Sequence, residues 1–132
     1  MPSSRVEDII NYFQRTDLNL KNIEIIRAFE NEFELFRKTE SFESKWHHLE
    51  RMHIIGQQSI GLHFSVHFMM LRQATDDKNS REFIGQVFRL FLILPGHIFG
   101  RLPIGNIGST RVNAFQAMAI PEDLKKILNS EH

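Results

Sequence analysis

"HHLERMHIIGQQSIGLHFSVHF", residues 47–68, holds five of the chain's seven histidines: His47, His48, His53, His63 and His67. How this stretch folds decides the architecture. If residues 42–74 formed one continuous helix, His53 and His67 would lie about 21 Å apart along its axis at 1.5 Å per residue, beyond the reach of any single ion. If the chain instead reverses at "GQQSIG" (56–61), with Gly56 or Gly61 supplying a backbone conformation other residues resist, the two halves form an antiparallel helical hairpin. A turn centred between Gln58 and Ser59 then places Glu50 opposite His67, and His53 beside His63 and Phe64.

Within each arm the spacing suits shared ligation. Glu50 and His53 are at i, i+3 and His63 and His67 at i, i+4, so each pair projects from one helix face. The hairpin therefore predicts four converging ligands, Glu50, His53, His63 and His67. Imidazole nitrogen and carboxylate oxygen suit a transition metal ion, Zn, Fe, Ni, Cu or Mn. Glu32 is expected as a fifth ligand or as a partner of one, because a carboxylate beside an apolar stripe needs a positive or hydrogen-bonding neighbour. His97 is a weaker candidate, and His47 and His48 fall on the sides of their helix, where solvation is expected. The competing reading takes each histidine alone, as a core imidazole held by a carbonyl or carboxylate.

The surrounding pattern is helical throughout. Val6, Ile9, Ile10 and Phe13 predict a short first helix behind Ser4 and Glu7, which have capping-box spacing. Ile25, Ile26, Phe29, Phe33 and Phe36 recur on one face of a second. Phe42, Trp46, Leu49 and His53 line a third; Ile60, Phe64, Leu71 and Ala74 line a fourth that also carries His63 and His67. Asn79, with Glu82 three residues on, opens a fifth that Pro95-Gly96 is expected to stop near Leu94. "GRLPIGNIGSTRVNAFQAMA" (100–119) has no sustained period and reads as an irregular wrap pinned by Val112, Phe115 and Met118. "IPEDLKKIL" (120–128) closes the chain as a short helix, with Pro121 in its first turn and acids before lysines. The expected fold is all-α: one domain over 1–132, a bundle of about five helices with a hairpin turning near 56–61.

Composition narrows the function classes. The 132 residues include 16 basic and 16 acidic side chains, so no net field recruits a polyanion and nucleic-acid binding is not expected. There is no cysteine, hence no disulfide, zinc ribbon or thiol nucleophile. "MPSSRVEDII" lacks the apolar core of a signal peptide, which predicts a cytoplasmic protein. The most apolar run, 83–100, is interrupted by Gln86, Arg89 and Pro95 and reads as a buried helix rather than a membrane span.

At "LERMHIIGQ" (49–57), "HFSVHFMML" (63–71) and "GRLPIGNIGSTRVNAFQAMAIPEDL" (100–124) the chain resembles a family of small bacterial helical proteins of uncharacterised function, over approximately residues 25–128. Its most specific part is Pro103, Gly105, Asn106 and Gly108, followed by Ile120 to Leu124. The resemblance implies a bacterial source and a helical fold, and carries no activity. More distantly, ExxH is similar to half of a ferritin-like di-iron site and HxxxH to hemerythrin-like bundles. The second ExxH is absent, so a mononuclear site is the closer fit.

Two functions compete on these grounds. One is a metal-binding helical protein: a metal-dependent hydrolase or oxidase, or a metal-handling protein, with no organic cofactor and an unidentified small-molecule substrate. The other is a non-enzymatic module whose histidines are structural and whose Phe-rich face mediates homodimerisation. A third reading makes "GNIGSTR" (105–111), with Arg101 and Arg111, an anion-binding nest, although the Walker lysine is missing.

Overall fold

A computed structural model describes residues 20–129 as five helices with no strand among the described residues. The short helix expected over Val6–Phe13 lies outside them. In chain order the helices are α1 (Leu20–Lys38), α2 (Phe42–Gly56), α3 (Ile60–Asp76), α4 (Ser80–Phe99) and α5 (Glu122–Leu128). Each of the first three packs on its successor, and α5 returns to α1 and α2. The protein is all-α.

The hairpin forms as its spacing predicts, but not through glycine's conformational freedom. Neither Gly56 nor Gly61 has positive φ. Gly56 is instead a point of close approach: a Cβ there would lie 2.8 Å from that of Leu62 and 3.1 Å from the Phe29 ring, so α1 and α3 both crowd its Cα hydrogen. At the open end the Trp46 indole donates to Asp77 Oδ2 at 2.8 Å, tying the start of α2 to the end of α3. Phe42, expected on the core face, lies one turn beyond this tie and is 54% exposed.

α2 is the central element because it packs against α1, α3 and α5. Leu49, Met52, Ile54 and Ile55 meet Phe29 of α1, Val66, Met70 and Ala74 of α3, and Leu124 and Leu128 of α5. Burying each such side chain contributes about 1.5–3 kcal/mol. On α3 the buried face runs through His63, Val66, His67, Met70 and Gln73 rather than Ile60, Phe64 and Leu71. That helix is apolar on more than one side, so packing rather than pattern chooses its inner face.

α4 departs from expectation twice. It does not stop at Leu94: Pro95 forfeits one bond to the carbonyl four residues back, the helix continues to Phe99, and Gly100 ends it in the left-handed conformation at φ 64°. Nor is it a buried helix. Its buried positions are Glu82, Gln86, Arg89 and Ile93, whereas Ile84, Phe88, Phe91, Leu94, Ile98 and Phe99 are exposed. By length and composition alone α4 is also apolar enough to cross a membrane, in spite of the interruptions at Gln86, Arg89 and Pro95.

The irregular segment between α4 and α5 is held by polar side chains rather than by Val112, Phe115 and Met118, and Phe115 is 68% exposed. Gln57 donates to the Pro103 carbonyl at 2.8 Å and accepts the Gly105 amide at 3.1 Å. Arg89 Nη2 donates to the carbonyls of Ser109 and Val112. These contacts lay the loop across the end of the hairpin, where the histidines are.

Candidate metal centre

Three of the predicted ligands converge. His53 on α2 and His63 and His67 on α3 each offer a ring nitrogen within 4.8 Å of the others, and all three rings are buried. His53 Nε2 lies 3.1 Å from His63 Nε2 and 3.0 Å from His67 Nε2.

For His53 and His67 the partners of the outer nitrogens fix the tautomers. His53 Nδ1–H donates to the Asn106 carbonyl at 2.6 Å, and a carbonyl only accepts. His67 Nδ1–H donates to Gln86 Oε1 at 2.6 Å. The orientation of that amide is in turn set because Gln86 Nε2 donates to Glu82 Oε1 at 2.8 Å and to the Gly108 carbonyl at 2.9 Å. A neutral imidazole that donates from Nδ1 presents a lone pair at Nε2. His53 and His67 thus point lone pair at lone pair, with no proton available to join them.

The rings stay neutral. Burial holds His53 well below the ordinary imidazole value, with the neighbouring imidazoles of His67 and His63 adding to it. Burial, then His67 and His97, pushes His63 down to about 3. Burial pushes His67 down to about 4, against the opposing hydrogen bond to Gln86. His97 reaches the cluster from the last turn of α4 and meets the outer nitrogen of His63, Nδ1 to Nε2 at 3.0 Å. It orients His63, which is possible only because the helix continues past Pro95.

The two carboxylates expected in the set are engaged elsewhere. Glu32, on α1, takes Arg51 Nε at 2.7 Å and His48 Nδ1 at 2.8 Å, while Arg51 also pairs with Asp123. His48 therefore has a partner rather than solvent alone. Glu50 accepts from Ser109 Oγ at 2.9 Å and pairs with Arg111 at 3.5 Å. Its pKa is raised, chiefly by burial. Neither acid belongs to the three-nitrogen group.

The loop supplies what spacing within the hairpin did not reveal. Gly108, at φ 83°, passes so close to His53 that a Cβ would fall 2.5 Å from the ring. Gly105, at φ 82°, leaves the same kind of space beneath the Met118 carbonyl. Asn106 turns its carbonyl to His53 while its side chain holds the loop: Nδ2 donates to the carbonyls of Asn113 and Gln116, and Oδ1 accepts the Gly108 amide. The Thr110 amide goes to Glu82. The amides of Gly105, Gly108 and Thr110 are all donated internally, which withdraws them from the anion nest expected over 105–111.

A family described as a protein of unknown function, DUF3703, matches residues 23–128. The chain belongs to that DUF3703 family. The matched span takes in all four histidines of the cluster together with Gln86 and the Pro103–Gly108 loop. No curated protein and no solved structure matches the chain.

The cluster opens on one side into a cavity of about 330 Å³. Its walls are mainly apolar, with Leu92, Ile93, Phe99, Leu102 and Phe115 among them, and Arg89 and Arg101 add charge. Arg89 Nε is buried without a partner. The site can present three nitrogen ligands on one side and admit a small molecule from the other.

Proposed function

We propose that this DUF3703 chain binds one transition metal ion through Nε2 of His53, His63 and His67, with the cavity side of the ion left open to a small molecule. The facing lone pairs of His53 and His67 carry the reading. Two neutral acceptors at 3.0 Å repel each other unless a cation lies between them. Tetrahedral ligation at about 2.0–2.1 Å from an ion requires nitrogen separations of about 3.3 Å, so the rings need move only a few tenths of an ångström.

The outer contacts support the same reading. Metal-bound imidazoles characteristically donate their second N–H to a carbonyl or carboxylate, which fixes ring orientation; His53 and His67 donate to Asn106 and Gln86. An all-nitrogen set without thiolate favours Zn, Cu, Ni or Fe over the more oxygen-seeking Mn. Three protein ligands with an open position are the pattern of catalytic rather than closed structural sites. A metal-dependent hydrolase or oxidase fits an apolar cavity beside such an ion, as does a metal-handling protein; a cytoplasmic setting is part of the proposal.

The test is elemental analysis of untagged protein purified without chelator, beside a His63→Ala/His67→Ala variant whose helicity is checked by circular dichroism. About one equivalent in the wild type, lost from the folded variant, is expected. Wild-type protein that stays metal-free after incubation with Zn, Cu, Ni and Fe would sink the proposal and leave the histidines as core residues.

A further inference from the structure

α4 is inside out. At 100° per residue, Glu82, Gln86, Arg89 and Ile93 fall together on the inner side. Ile84, Phe88, Phe91, Leu94, Ile98 and Phe99 occupy an opposite arc about 140° wide, all at least half exposed. Phe115 extends this face from the loop, meeting Phe88 edge-to-face with centroids 6.4 Å apart. At roughly 200 Å² for each large side chain, the exposed fractions amount to on the order of 900 Å² of apolar surface. Monomers rarely leave a patch of this size to water, and a standard interface takes about 800 Å² from each partner.

We infer that a second copy of this chain packs on this face, α4 against α4, about a two-fold axis. The area matches one half of a stable dimer. The helix is about 30 Å long at 1.5 Å per residue, its outer face carries no charge between Arg81 and Arg101, and a like face is its natural complement under two-fold symmetry. A lipid surface fits less well. Interfacial helices flank their apolar face with basic residues, whereas α4 has no lysine and turns Arg89 inward. A full span would bring to bilayer depth the irregular loop bonded to Gln86 and Arg89, where lipid-exposed irregular backbone is not tolerated.

The dimer bears on the cavity. Phe99 and Phe115 belong both to the exposed face and to the cavity wall. A second copy seated on α4 therefore covers that side of the cavity and shields the histidine cluster from water. This inference stands on the exposed face and does not depend on metal binding.

Sedimentation of the full chain at tens of micromolar tests it. Wild type should sediment at twice the 15.5 kDa chain mass. Ile84→Asp/Phe91→Asp should raise the dissociation constant at least about 30-fold, as loss of central hot-spot residues does. Phe42→Asp, an exposed aromatic on α2, should leave the dimer intact. A second route does not require the charged variant to fold. The chain has no cysteine, so Phe91→Cys, near the middle of α4, should form a disulfide-linked dimer on mild oxidation far faster than Phe42→Cys. A wild type that stays monomeric, a dimer indifferent to both aspartates, or equal cross-linking at the two cysteines would overturn the inference. So would co-sedimentation of the wild type with phosphatidylcholine vesicles, which would make lipid the occupant.

Discussion

His53 and His67 come from opposite arms of the helical hairpin and bring their Nε2 atoms to 3.0 Å, each ring having given its Nδ1–H to an oxygen acceptor. The geometry is prepared from outside. Asn106 sets one ring and Gln86 the other, so these two residues, rather than an acid within the hairpin, determine where the lone pairs point.

Gln86→Met keeps the volume of the side chain and removes the acceptor for His67. Outer-sphere losses of this kind cost about 10–100-fold in metal affinity, and that weakening is expected here in a competition titration against a chromophoric chelator. Unchanged affinity would show that His67 is oriented by packing alone.

Two glycines should respond in opposite directions to alanine. Gly108→Ala places a methyl group 2.5 Å from the His53 ring at a φ of 83°; the left-handed backbone alone costs about 1–2 kcal/mol, and the displaced ring should weaken metal binding as well. Gly61→Ala meets nothing within 4 Å in helix α3 and should stabilise by about 0.4–1 kcal/mol. Urea midpoints of the two variants give the comparison.

Glu32→Gln should lower stability without touching metal content. It removes the charge that holds Arg51 and His48, a loss of about 1–3 kcal/mol for buried hydrogen bonds to a charged group. Metal stoichiometry reduced in proportion would return Glu32 to the ligand set.

Chelator-stripped protein should lose stability on acidification. The ordinary imidazole value near 6.5 applies in the unfolded chain, while folded His63 and His67 are pushed down to about 3 and about 4. Below pH 6.5 the unfolded chain therefore binds protons that the folded one does not. Stability is complete above that pH and falls by about 1.4 kcal/mol per pH unit for each ring. The loss from His67 ends near pH 4 and that from His63 near pH 3, and His53 acts in the same direction. Glu50, raised by burial, opposes the trend at the acid end. Urea midpoints measured from pH 7.5 to 4 should decline; a flat profile would mean that the rings are solvated in the folded protein.

Much of this protein was legible in its sequence. Helical periodicity and the breaks at residues 39–41, 57–59 and 77–79 follow from local chemistry: Ser41 and Asn79 cap their helices through side-chain oxygens. The hairpin and the convergence of His53, His63 and His67 follow from register, because two helices of similar length joined by a tight turn can pair in few ways. The two acids of the expected set show where this reasoning ends. Spacing puts Glu50 and Glu32 near the right faces, but a carboxylate goes to the donor that reaches it, and Ser109, Arg111, Arg51 and His48 arrive from elements distant in sequence.

The sequence by itself determined the helices, the turn and three nitrogens close enough to share an ion. Only the tertiary structure decided which way those nitrogens face, because tautomer and ring orientation depend on a loop carbonyl 53 residues from His53 and on an amide held by Glu82. It also decided which side of α4 meets water. Both sides of that helix carry apolar residues, and the histidine cluster draws the polar stripe inward to satisfy its hydrogen bonds, leaving the phenylalanines outside.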